Sequence, residues 1–236
     1  MGRLGFFGLL IFVLGCTPKT SHSPSFDAGA VEQFREQTAA LREGSSHRLM
    51  LEVMANSTVL REFQAMDSSV RNGIREVLFE EGLQSENDLG LWIENTSLIH
   101  LRVRKTALSD VGFAFLLPHQ HQLRILNVPD VRWTGATWKK LPEFSELTML
   151  RIGGAAIDDQ AIEFIATIPR LESLHLIGPR ITARSLELLA KAEHLHSLYV
   201  DDCPLPDEAW LKLFEVKPRI HVHIDQAHHD RDPAKH

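Results

Sequence analysis

Residues 98–128 read LIHLRVRKTALSDVGFAFLLPHQHQLRILNV, and the first six and last six residues of that stretch share one pattern. Apolar side chains stand at positions one, four and six: Leu98, Leu101 and Val103, then Leu123, Leu126 and Val128. The pattern returns as LTMLRI from Leu147, LESLHL from Leu171 and LHSLYV from Leu195, at intervals of 24 or 25 residues, and a degraded copy ends in Val222 and Ile224. Five residues beyond each sixth position comes a further apolar residue: Leu108, Trp133, Ile157, Ile181 and Leu205. A period of this length marks stacked units, each too small to bury its own apolar face and so dependent on its neighbours.

Within a unit, the first half reads as a short strand. Its fourth and sixth residues point to one face, and the third, fifth and seventh point to the other. The second half reads as a helix. Ser109, Thr134, Asp158 and Thr182 follow the last apolar anchor and can accept the unpaired amide protons of a first helical turn. Beyond each cap lies a small–large–large stripe at helical spacing: Gly112, Phe113, Leu116; Thr137, Trp138, Leu141; Ala161, Ile162, Ile165; Ser185, Leu186, Leu189. The fifth unit keeps Ala209, Trp210 and Leu213 but puts Pro206 in the cap slot, where a missing amide proton costs little.

The pattern resembles the leucine-rich repeat, Leu-x-x-Leu-x-Leu-x-x-(Asn or Cys)-x-(Leu or Ile), over residues 96–226. That resemblance implies an α/β solenoid of about five to six strand–helix repeats, with a parallel sheet on its concave face. The family's Asn or Cys slot holds Thr106, Val131, Ala155, Pro179 and Cys203 here, so only Cys203 conforms. The buried hydrogen-bonded ladder that the resemblance would supply at that slot is therefore mostly missing.

Residues 27–95 show no such repeat. Phe26–Arg42 and Ser69–Glu81 carry helical apolar spacing, with Gly82 placed as a stop, and Val59–Met66 reads as another short helix. A helical cap over the first repeat is the expectation, since open solenoid ends expose apolar surface. Ahead of it, Arg3 and the apolar run Leu4–Leu14 have the build of a secretory signal peptide over residues 1–15, too short to span a bilayer. Val13-Leu14-Gly15-Cys16 resembles a bacterial lipobox. The resemblance implies lipidation at Cys16, a lipid anchor in a bacterial membrane and, from Thr17 at the next position, the outer membrane. Residues 16–26 are polar, with two prolines, and suit a flexible tether. Residues 227–236 read as a polar, His-rich tail.

The 236-residue chain has a formal charge of −6 and no stripe of Lys or Arg interleaved with aromatics, so no nucleic-acid partner is expected. Its two cysteines leave Cys203 alone once Cys16 is lipidated, which excludes an internal disulfide. No GxSxG elbow, HExxH helix or phosphate-binding loop is present, so neither an enzyme nor a cofactor is expected. Function is sought on the outward strand positions. The fifth-position column runs Arg102, Asn127, Arg151, His175, Tyr199 and His223, mixing residue types that make apolar and charged contacts together. The expectation is a membrane-anchored scaffold that binds a protein or peptide on this face. A self-assembling envelope component is the alternative.

The C-terminal half is also rich in histidine, with His175, His194, His196, His221, His223, His228, His229 and His236 near Asp201, Asp202 and Asp225. Imidazole plus carboxylate is a zinc-ligand set. No fixed metal-binding spacing accompanies it, and no metal ligands are assigned from the sequence.

Overall fold

The apolar fourth and sixth positions close over one another, strand by strand, in a computed structural model that describes residues 24–232. Leu101, Val103, Leu126, Val128, Leu150, Ile152, Leu174, Leu176, Leu198 and Val200 are each fully buried. The residues between them are only half-buried. This alternation is what a sheet with one covered face requires.

The chain opens with helix α1 (Pro24–Arg42), strand β1 (Arg48–Leu51), helices α2 (Ser57–Gln64) and α3 (Ser68–Asn72), and strand β2 (Glu76–Phe79). Helix α4 (Leu89–Ile93), strands β3 (His100–Val103) and β4 (Leu108–Ser109), and helix α5 (Asp110–Ala114) follow. Next come β5 (Ile125–Val128), β6 (Val131–Arg132), α6 (Gly135–Trp138), β7 (Met149–Gly153) and α7 (Asp159–Ile165). The chain continues through β8 (Ser173–Ile177), α8 (Ala183–Leu189), β9 (Ser197–Asp201) and α9 (Asp207–Val216). It closes on β10 (His221–Ile224) and β11 (Ala227–His228).

Nine strands form one sheet in the order β1-β2-β3-β5-β7-β8-β9-β10-β11, so spatial order follows chain order. Every pair is parallel except β10 with β11. The protein is thus α/β with a large, mostly parallel sheet. Strands β4 and β6 form a separate short parallel pair. The helical stripes pack behind the sheet, with Phe113, Leu116, Trp138, Leu141, Ile162, Ile165, Leu186, Leu189, Trp210 and Leu213 all buried in the core.

The region 27–95 departs from the expected helical cap. Helix α1 does cover the β1 edge: Phe34 and Leu41 are buried, and Gln37 accepts a hydrogen bond from the Met50 amide (2.7 Å) while donating to its carbonyl. Such pairing blunts a sheet edge that would otherwise present open backbone groups. The same region, however, supplies two strands of the sheet. Ser69–Glu81 is not one helix, because only Ser68–Asn72 is helical and Glu76–Phe79 pairs in register with β3. Val70, Ile74, Val77 and Leu78 imitate helical spacing. Yet Ile74, Val77 and Phe79 also satisfy the one–four–six strand pattern, 24 residues ahead of Leu98, and all three are fully buried.

The caps work in two ways. Ser109, Asp158 and Thr182 accept from backbone amides of their own helices, as expected. Thr134 does not. Its hydroxyl instead donates to Asp110, the first residue of the preceding helix (2.7 Å), and its amide donates to the same carboxylate (2.8 Å). Thr182 makes the identical pair of bonds to Asp159 (2.8 and 2.7 Å), and Ser109 makes it to Glu86 (2.8 Å each). A carboxylate near the start of one helix therefore ties down the cap of the next. Where the next cap is Asp158 or Pro206, the first helical residue is Gly135 or Ala183, because a carboxylate would repel the one and find no hydroxyl on the other.

The slot that the leucine-rich-repeat resemblance assigns to Asn or Cys is only partly bonded. The Thr106 hydroxyl accepts from the Leu83 amide (2.8 Å), and Cys203 is buried. Residues 227–236 are not simply a tail. Ala227 and His228 turn back as β11, through a two-residue loop in which Asp225 and Gln226 both have positive φ (49° and 66°). That conformation suits the twist of a tight hairpin. Residues 1–15, Cys16, the tether up to Ser23 and His236 lie outside the described residues.

Candidate functional site

Parallel pairing without slippage carries each outward column straight across the sheet. Arg102, Asn127, Arg151, His175, Tyr199 and His223 are successive register partners, so the six residues singled out from the sequence form one line. The line extends past them to Leu78 on β2 and Met50 on β1. A second line runs beside it: Arg48, Glu76, His100, Ile125, Met149, Ser173, Ser197 and His221.

The β3 end of this face is basic. Glu80 receives Arg102 (2.7 Å) and Arg104 (3.0 Å), and Glu76 receives Arg48 (2.7 Å). Burial works against ionisation of Glu80, but the two guanidinium hydrogen bonds hold its carboxyl below the usual carboxylate range. Arg151 has no such carboxylate in hand, and its Nε is buried without a hydrogen-bond partner. Burial first, then the charges of Arg104 and Arg102, push its pKa down, against the pull of Asp201.

The other end is aromatic and imidazole-rich. His175 Nε2 lies 2.7 Å from Oδ2 of the buried Asp201. Tyr199 stacks between His175 and His223, at ring-centroid distances of 5.4 and 4.9 Å. Desolvation, then the neighbouring His228 and His221, lower the His223 pKa and favour its neutral form. A shallow depression lined by Arg151, Ile177, Asp201 and Asp225 opens beside the line.

This chain is similar to an internalin of Listeria monocytogenes. The match covers 80% of this chain and 69% of the internalin chain, at 12% sequence identity and a TM-score of 0.45. No family model matches the sequence, and no curated protein matches it. Identity that low and an overlap that loose say nothing about a ligand.

The histidines and carboxylates read from the sequence do not gather as one group. His194 and His196 are exposed and stand apart from the others. Asp201 serves His175, and Asp225 accepts from the Asp202 amide (2.8 Å). His221, His223 and His228 do converge, around Asp232, a residue the sequence pattern did not single out. Its burial depends on a chain reversal with no periodic signature. Among the described residues no helix is long and apolar enough to cross a membrane.

Proposed function

We propose that the chain is a leucine-rich-repeat-type solenoid whose outward sheet face docks an extended, acidic segment of another protein, without catalysis, while Cys16 tethers it to a bacterial membrane. One observation carries the binding reading. Of eight buried side-chain nitrogen or oxygen atoms without a hydrogen-bond partner among the described residues, four belong to the outward line and its neighbour, apart from His221 Nδ1 beside Asp232: His100 Nε2, Arg102 Nε, Asn127 Oδ1 and Arg151 Nε. Buried polar atoms are ordinarily satisfied, so a shift of these side chains toward an incoming partner would recover bonds that the free face leaves unmade. Arg and Tyr at the centre of the line are residue types that anchor interfaces.

The acidic preference follows from Arg151, which lacks a partner for its Nε and sits near Arg102 and Arg104. A carboxylate reaching Arg151 from the side of Arg102 and Arg104, away from Asp201 and Asp225, would pair with the guanidinium. The self-assembling reading has less support. Helix α1 covers the β1 edge and β11 covers the β10 edge, leaving little backbone for strand-to-strand addition.

The test is a fluorescence-anisotropy screen of extended peptides carrying acidic, neutral or basic residues, against wild type, Arg151→Ala and Tyr199→Ala. Acidic peptides should bind, and each substitution should weaken them about thirtyfold, the equivalent of a ~2 kcal/mol hot spot. Binding that is indifferent to peptide charge and unchanged in both variants would remove this face as the site.

A further inference from the structure

We propose that His221, His223, His228 and Asp232 form a site for a divalent transition metal of the zinc class, which clasps the C-terminal hairpin to the end of the sheet. His221 and His223 project from the same side of β10, and His228 stands opposite His223 across the β10–β11 pair. One ligand atom from each of the four residues lies within 4.8 Å of all the others. Zinc bonds of about 2.0–2.2 Å in tetrahedral geometry put ligand atoms roughly 3.3–3.6 Å apart, so closure needs side-chain shifts on the order of 1 Å.

The carboxylate completes the donor set. The Asp232 side chain is fully buried and points at the imidazoles of β10 and β11. The Val222 amide donates to its Oδ2 (3.1 Å), and His228 Nδ1 lies at the same distance. His221 Nδ1 stands 2.8 Å from that same oxygen, so two imidazole nitrogens converge on one carboxylate oxygen, as they would around a shared cation. The three ring centroids lie 4.1–5.2 Å apart, so the imidazoles already face one another around the carboxylate.

The surroundings hold these ligands in place. The Val222 amide orients Asp232, and the His229 amide donates to the Val222 carbonyl (3.0 Å). The His229 ring packs on Phe214 at 4.9 Å. Such outer contacts orient metal ligands and raise affinity. Three imidazoles with one carboxylate select zinc, copper or nickel over the oxygen-seeking magnesium and calcium. Because Tyr199 stacks on His223, occupancy would also stiffen that end of the outward line.

The experiment is calorimetric titration of Zn2+ into the full chain, in detergent, stripped with chelator and carrying no histidine tag. Wild type should bind one equivalent saturably. Affinity should fall at least about tenfold in His228→Gln and in Asp232→Asn, and stay unchanged when His194 and His196 are both replaced by Ala. His228 is exposed, and Asn at 232 still accepts from the Val222 amide, so both variants should fold; zinc should raise the melting temperature of wild type more than theirs. X-ray absorption of the complex should show an all nitrogen-and-oxygen shell with imidazole scattering. Absence of saturable binding, or binding that persists in both variants and disappears with His194 and His196, would overturn the site.

Discussion

Asp159 is the residue whose loss should reveal how neighbouring units are fastened together. Its carboxylate accepts from the Thr182 amide (2.8 Å), the Thr182 hydroxyl (2.7 Å) and the Ser185 hydroxyl (2.5 Å). In Asp159→Ala, Thr182 is exposed and water can replace its bonds at little cost. Ser185 is fully buried, and its stranded hydroxyl costs about 1–3 kcal/mol. Losing a negative charge from the first turn of α7 adds about 0.3–1 kcal/mol. The sum is roughly 1–4 kcal/mol, which in a chain of this size lowers the melting temperature by about 3–16 °C.

A double-mutant cycle isolates the cause. Ser185→Ala removes the hydroxyl that Asp159→Ala strands, so the two changes together should cost less than their sum by about 1–2 kcal/mol. Urea melts of the wild type, both single variants and the double variant measure this. Additivity within about 0.5 kcal/mol would refute the fastening role. The pH dependence has a definite sign. Burial opposes ionisation, but the Ser185 and Thr182 hydrogen bonds prevail and hold the Asp159 carboxyl below its ordinary pKa. A depressed folded-state pKa contributes stability that is present above the unfolded value of about 3.9 and lost as pH falls through the folded one. The gap between wild type and Asp159→Ala should therefore be full at pH 7 and narrow at pH values below the depressed pKa, leaving the part that a neutral carboxyl still contributes by accepting from Ser185.

Gly153→Ala should also destabilise, because a Cβ at that point of β7 would meet the Pro129 carbonyl oxygen at 2.2 Å and Ile177 Cβ at 3.1 Å. Overpacking against backbone costs about 1–3 kcal/mol, and an unchanged urea midpoint would contradict the close approach. Cys16→Ser should move the protein from the membrane fraction to the soluble fraction and abolish incorporation of labelled palmitate; a variant that still carries label would end the lipid-anchor reading.

The 24- or 25-residue period, read from Leu98 to Val200, already contained the parallel order, the buried stripes and the composition of the outward line. Strand and helix spacings act on one unit at a time, and each repeat restates them. Part of the fold lies in the sequence under a competing pattern. Ile74, Val77 and Phe79 repeat the strand pattern 24 residues early, masked because Val70, Ile74, Val77 and Leu78 also fit a helix. The alternation of acidic first residues with hydroxyl caps was likewise written in the chain, at Asp110 with Thr134 and Asp159 with Thr182. Only the tertiary structure decided the two ends. Strand β1 pairs with β2 at an offset of 28 residues, Arg48 with Glu76, outside the period. Asp232 reaches His221 and His228 only because the chain reverses at Asp225–Gln226. Periodicity reports what every unit does alike, whereas an end is made once, by contacts between residues that no repeat relates.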